Sequence, residues 1–181
     1  MKGLRRRHLL AAMAASALLP GRAVATKPKP RLVVVGGGFA GATLARFAKR
    51  LSPEITVVLI EARDRYVSCP MSNLVIAGQR NLAAQTFDYR ALEAAGVEVV
   101  RGMAVDVDAT KRHVRLQGGS TIDYDRLVLA PGVMFNFDRL SGMSEQAAEK
   151  MPHAWQAGAQ TILLRRQIEA MPEDGLVVIS V

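Results

Sequence analysis

Gly36-Gly37-Gly38-Phe39-Ala40-Gly41 puts glycine at the first, third and sixth positions of a G-x-G-x-x-G turn. Each of the three has a mechanical job. Gly36 permits a tight turn, Gly38 lacks the Cβ that would keep a pyrophosphate off the backbone, and Gly41 lets a helix pack close to a sheet. Glu61 follows 20 residues after Gly41. A carboxylate at that distance accepts hydrogen bonds from the ribose hydroxyls of a bound dinucleotide, and its charge opposes a 2′-phosphate. FAD or NAD therefore fits the pattern, and NADP fits it badly.

Two further groups of residues bear on chemistry. Cys69, the only cysteine, stands eight residues beyond Glu61 in Asp64-Arg-Tyr-Val-Ser-Cys-Pro-Met-Ser-Asn73. By position alone it is open between an inert packed thiol and a reactive one, with Arg63 and Arg65 near enough in sequence to favour its thiolate. A lone cysteine excludes an internal disulfide framework and a Cys-rich zinc site, and His8, His113 and His153 lie too far apart for ligand spacing. Ala130-Pro131-Gly132 ends the apolar run Leu127–Ala130. Taken alone, that segment is a strand with a turn.

The elements that must position these residues are legible around them. Arg31–Val35 is apolar along its length, as a parallel strand covered on both faces must be. It runs straight into Gly36, and a helix expected over Ala42–Arg50 aims its N-terminal amides at the phosphates. A second apolar strand, Ile55–Ile60, ends at Glu61. Beyond it the pattern predicts a helix over Leu82–Ala95, a strand over Val97–Arg101, and short strands near Met103–Val107 and Arg112–Leu116. Helices are expected over Gly142–Lys150 and Gln160–Met171, with Trp155 a packing residue and His153 a solvated or capping one. Gly175–Val181 reads as one more strand.

The chain has 181 residues, half of them apolar and 22% charged, which is a globular balance. Its net charge of +8 is concentrated at one end. Lys2, Arg5, Arg6, Arg7 and Arg22 precede residue 26, and without them 19 basic residues face 16 acidic ones, a net of +3. With aromatics at 5%, nucleic acid is not an expected partner. The basic start, the apolar stretch Leu9–Leu19 and Ala23-Val24-Ala25 form an export signal, with cleavage expected after Ala25. The apolar stretch is too short to span a bilayer. Arg6-Arg7 resembles a twin-arginine signal, a route that carries folded proteins with cofactor already in place.

Tyr124-Asp-Arg-Leu-Val-Leu-Ala-Pro-Gly132, following a small antiparallel insertion and paired with Gly36–Gly41, resembles the second signature of two-dinucleotide flavoprotein reductases. That favours FAD over NAD. Val33–Gly41, Glu61, Tyr66-x-x-Cys69, Ser72-Asn73, Ala130-Pro131-Gly132 and Pro152-His-Ala-Trp-x-Ala-Gly158 together resemble the flavoprotein subunit of flavocytochrome c sulfide dehydrogenase. The likeness runs from about residue 31 to the end.

The resemblance implies an α/β fold: a Rossmann-like FAD domain over residues 26–135, then a helical linker and the start of a second, incomplete dinucleotide-type domain over 136–181. It implies FAD held by Gly36, Gly38, Gly41, Glu61, Ala130 and Gly132, and bonded through the sulfur of Cys69 to its 8α-methyl carbon. It further implies sulfide as substrate, a cytochrome c subunit as partner, and a periplasmic location. The family's catalytic disulfide needs two further cysteines, which this sequence does not contain, so no catalytic residue is assigned and the chain reads as the N-terminal part of a longer protein. Two alternatives stay open: an exported NADH- or quinone-linked flavin reductase, and a non-catalytic FAD-binding remnant.

Overall fold

A computed structural model describes residues 28–179; the expected export signal lies outside them. Along the chain run strand β1 (Arg31–Val35), helix α1 (Phe39–Leu51), β2 (Thr56–Glu61), β3 (Tyr66–Val67), α2 (Ser72–Ile76), a 3-10 turn (Leu82–Gln85) and β4 (Thr86–Phe87). There follow α3 (Arg90–Ala94), β5 (Glu98–Arg101), β6 (Ala104–Asp108), β7 (His113–Leu116), β8 (Thr121–Asp123) and β9 (Arg126–Leu129). A second 3-10 turn (Phe137–Arg139), α4 (Glu145–Lys150) and α5 (Ala159–Glu169) complete the order.

Four strands form a parallel sheet in the order β5-β2-β1-β9. The alternating side chains of its central strands face two cores, as the period of two requires. Val34, Val57 and Leu59 point to one side and meet Ala45 of α1, Tyr89, Leu92 and Val97. Val33, Val58 and Ile60 point to the other and meet Val114 and Leu116 of the antiparallel sheet β6-β7-β8. The result is three layers: helices, parallel sheet, antiparallel sheet. This is the expected α/β architecture, and the insertion has three strands because Thr121–Asp123 pairs with β7.

Helix α1 begins at Phe39 with Gly38 as its N-cap, three residues before the expected start, so Gly41 lies inside its first turn. Lys49 and Arg50 occupy its last turn, where cations complement the helix dipole. The single helix expected over Leu82–Ala95 is instead broken in two. Asn81 caps the first piece by accepting the Ala83 N–H at 2.9 Å, and Thr86–Phe87 then pairs antiparallel with β3. The chain turns helical again after Asp88, whose Oδ1 accepts the Arg90 N–H at 3.2 Å.

The C-terminal helices are close to expectation, with Ser144 capping α4 by accepting the Ala147 N–H at 3.0 Å. Leu176–Ile179 differ: no strand among the described residues pairs with them, so they stay irregular and exposed.

Candidate functional site

Register brings the glycine turn, Glu61 and Ala130 to one edge of the sheet. Val35 lies opposite both Ile60 and Leu129, so the next residues, Gly36, Glu61 and Ala130, leave the sheet side by side. That edge holds the carboxyl ends of β1 and β9, between which the strand order reverses, the place where open α/β sheets bind ligands. The Gly36 N–H donates to the Ile60 carbonyl and the Ala130 N–H to the Val35 carbonyl, each at 2.8 Å.

The glycines divide by what surrounds them. Gly36 has φ +97°, and a Cβ there would overlap the Ala130 carbonyl. A Cβ on Gly41 would overlap the Gly36 carbonyl, backbone that cannot swing aside. Gly38 differs, since the nearest atom to a Cβ would be Tyr66 Cε2 at 3.6 Å, an ordinary contact. Within this chain nothing requires glycine at position 38. The space is left clear at the N-terminus of a 13-residue helix, where free amides favour an anion. A dinucleotide pyrophosphate fits that cradle.

Glu61 faces the turn. Its Oε2 accepts the Gly37 N–H at 2.6 Å and its Oε1 the Arg63 N–H at 2.9 Å. Tyr89, unforeseen from the sequence, completes the brace: its hydroxyl donates to the Gly37 carbonyl at 3.1 Å, and its ring occupies the space a Gly37 side chain would need. Arg101 places its guanidinium 4.8 Å from the Tyr89 ring centre and donates to the Arg63 carbonyl at 2.9 Å. Burial, helped by the Glu61 charge and opposed by Arg101, pushes the Tyr89 hydroxyl up to about 12. A tyrosine at the start of a short helix carries no sequence signal for this role.

Cys69 is exposed, which removes the inert buried thiol as its reading. It begins a turn closed by the Ser72 N–H donating to its carbonyl at 3.1 Å, with Pro70 second and Met71 third at φ 72°. That is the form of a type II turn, whose third position favours glycine. The Cys69 thiol approaches the Trp155 carbonyl at 3.4 Å. Tyr66 connects this segment to the glycine turn, its ring meeting Phe39 edge-on with centroids 5.3 Å apart. Burial, and the charge Cys69 carries when ionised, raise the Tyr66 hydroxyl above its ordinary value.

The turn is anchored from below by Gln85, a second residue the sequence did not single out. Its Nε2 donates to the Ser68 carbonyl at 2.7 Å and to Ser72 Oγ at 3.1 Å. Gly132 has φ 81° and opens onto Val133 and Met134, which are 96% and 94% exposed.

Two expectations near Cys69 are corrected. The Trp155 side chain is 78% exposed and does not pack; its carbonyl makes the contact. His153 is half-buried, its ring tilted at 42° against Phe135 with centroids 4.3 Å apart, and burial lowers its pKa. Among the described residues no cluster of His, Cys, Asp and Glu has the make-up of a metal site, and no helix is long and apolar enough to cross a membrane.

Fold and site together define a dinucleotide-binding oxidoreductase domain. Residues 30–168 match the family of pyridine nucleotide-disulphide oxidoreductases, and the chain belongs to that family of FAD-dependent enzymes. The chain is 25% identical over 114 residues to the mitochondrial sulfide:quinone oxidoreductase of Mus musculus, spanning 25% of that protein's length. It is 51% identical over 45 residues to the sulfide dehydrogenase (flavocytochrome c) flavoprotein chain of Chlorobaculum thiosulfatiphilum, covering 94% of that sequence and 25% of this one. Its fold is that of the sulfide:quinone oxidoreductase from Aquifex aeolicus, with a TM-score of 0.65 at 24% identity over 77% of this chain and 32% of that one.

Proposed function

We propose that this chain is the FAD-holding portion of a flavoprotein that oxidises sulfide and passes the electrons to a cytochrome c partner. The carrying observation is Cys69, an exposed residue on a braced turn that follows Tyr66, whose ring meets Phe39 at the start of α1. The 51% identity to a sulfide dehydrogenase flavoprotein chain supports the same reading.

FAD, when bound, supplies two-electron acceptance from substrate and one-electron release to a haem partner. The protein's own residues divide the work of holding it. Gly38 and the first amides of α1 take the pyrophosphate, Glu61 the ribose hydroxyls, and the turn Ala130–Gly132 closes beside the cofactor. Cys69 would anchor it through sulfur, its thiol S–H and one C–H of the 8α-methyl group giving way to an S–C bond, with dioxygen as the acceptor of the two protons and two electrons released. Such a bond keeps FAD on a protein exported to a compartment that does not make it. Arg6-Arg7 and Ala23-Val24-Ala25 support periplasmic delivery by the folded-protein route.

The test is to denature the full-length protein in acid and look for flavin in the precipitate. A tryptic fragment containing Cys69 should carry the mass of FAD, and Cys69→Ser should release the flavin without preventing its binding. A colourless precipitate from a yellow protein would refute the anchor. For export, replacing Arg6 and Arg7 with lysine should trap the protein in the cytoplasm; undiminished periplasmic delivery would refute the twin-arginine route.

The mouse relative favours a second reading, in which a quinone takes the electrons. Sulfide-reduced protein offered cytochrome c or a soluble quinone separates the two, because only the physiological class of acceptor should reoxidise it at a rate that supports turnover.

A further inference from the structure

Gln85 is 2% exposed and is bonded on both sides of Cys69. Its main-chain carbonyl accepts the Ser68 N–H at 2.8 Å, while Nε2 donates to the Ser68 carbonyl at 2.7 Å and to Ser72 Oγ at 3.1 Å. Ser68 precedes the cysteine, and Ser72 ends the turn the cysteine begins. Both serines are themselves buried, at 8% and 6% exposure, so the bonds are shielded from competing water.

The same side chain carries a cost. Gln85 Oε1 is buried without a hydrogen-bond partner. A buried acceptor left unpaired is unfavourable, and a methionine of similar volume would fill the space without one. Packing therefore does not explain a glutamine here. What the amide provides is a pair of donated bonds that bracket an exposed thiol, in a turn whose third residue, Met71 at φ 72°, holds a left-handed conformation that favours glycine.

We infer that Gln85 is a positioning residue, fixing the Ser68–Ser72 turn so that the Cys69 sulfur is presented at one point for bonding to FAD. The inference rests on the reading of Cys69 as the flavin anchor. It adds that the rate of attachment, and not the affinity for FAD, depends on an amide buried beneath the thiol. In the bond-forming exchange, thiol S–H and methyl C–H give way to S–C while dioxygen takes two electrons and two protons. Gln85 donates no proton to that exchange; it limits where the sulfur can be.

The experiment mixes full-length apoprotein with FAD in air-saturated buffer and stops samples in acid. The flavin-bearing Cys69 peptide is then quantified by mass spectrometry. Gln85→Met should attach flavin at least tenfold more slowly than wild type, bind FAD non-covalently within twofold of wild type, and show faster amide hydrogen exchange confined to residues 66–75. Gln85→Glu keeps the volume but donates to the Ser68 carbonyl only when protonated, so its deficit relative to wild type should shrink as pH falls.

Wild-type attachment rates in both variants would overturn the inference while leaving the anchor standing. Slower attachment accompanied by weakened FAD binding and faster exchange throughout the domain would also overturn it, because Gln85 would then serve the fold as a whole. A wild-type protein that never acquires covalent flavin refutes the anchor and this inference with it.

Discussion

The carboxylate of Glu61 accepts the backbone N–H of Gly37 at 2.6 Å, so the group proposed to hold a ribose also braces the turn proposed to receive the pyrophosphate. One side chain thus couples two parts of the cofactor site. Glu61→Gln removes the charge and sets an amide where two N–H groups now converge on carboxylate oxygens. Charge-assisted hydrogen bonds contribute about 1.5–3 kcal/mol, which corresponds to a roughly ten- to hundredfold weaker FAD complex. Quenching of flavin fluorescence, titrated in a Cys69→Ser background, measures this. Unchanged affinity would show that neither ribose nor turn depends on the carboxylate.

The glycines should separate stability from binding. Gly41→Ala sets a methyl against the Gly36 carbonyl, and the strand–helix connection cannot yield without moving β1. Overpacking of this kind costs on the order of 1–3 kcal/mol or more. Gly38→Ala meets only Tyr66 Cε2 at 3.6 Å, so its unfolding transition should match wild type to within about 0.5 kcal/mol. FAD binding should nonetheless fall sharply, because the methyl fills the cradle. Comparing urea midpoints with FAD affinities for the two variants checks the division; a Gly38→Ala protein that binds FAD normally would place the pyrophosphate elsewhere.

How much of this was legible follows from where each signal resides. The glycine turn and Glu61 are fixed by local rules of spacing, and the parallel sheet by the unbroken apolar runs of β1 and β2, so both could be read directly. Leu82–Ala95 misled because its composition favours helix while its pairing does not: Thr86–Phe87 is drawn into a two-stranded ladder with Tyr66–Val67, a contact about 20 residues away that no periodicity reports. Tyr89 and Gln85 were invisible for the same reason. Each acts on residues 13 or more positions away, Gln85 on Ser72 and Ser68 and Tyr89 on Gly37. Cys69 lay between these cases, since its uniqueness was plain and its exposure was not.

Met71 holds φ 72° with its side chain 56% exposed, a left-handed conformation that costs a non-glycine residue about 1–2 kcal/mol. Glycine at this position loses little packing but gives back roughly 0.5–1 kcal/mol in unfolded-state entropy. Met71→Gly should therefore stabilise the domain by about 0.5–1 kcal/mol, whereas Met71→Val, branched at Cβ, should destabilise it. Thermal unfolding of the two variants beside wild type decides the matter, and a drop in Tm for Met71→Gly would assign the methionine a packing role its exposure does not suggest.

Tyr89 gives the domain a pH dependence with a definite sign. Its hydroxyl is pushed up to about 12, first by burial and then by the Glu61 charge. In the unfolded chain a tyrosine loses its proton near pH 10. The folded state thus favours the neutral form, so the stabilisation is complete below pH 10 and is lost as pH rises through about 12. Tyr89→Phe removes the titrating group and the bond to the Gly37 carbonyl together. At pH 8 the variant should be less stable by about 1 kcal/mol, the net worth of a buried neutral hydrogen bond. Between pH 10 and 12 wild type should lose on the order of 2 kcal/mol that the variant does not, so the two curves approach and cross. Urea unfolding of both proteins at intervals from pH 8 to 12 measures the gap. A gap that stays constant over that range would mean that Tyr89 ionises as freely in the folded protein as in the unfolded chain, and that its hydroxyl does not close the brace on the glycine turn.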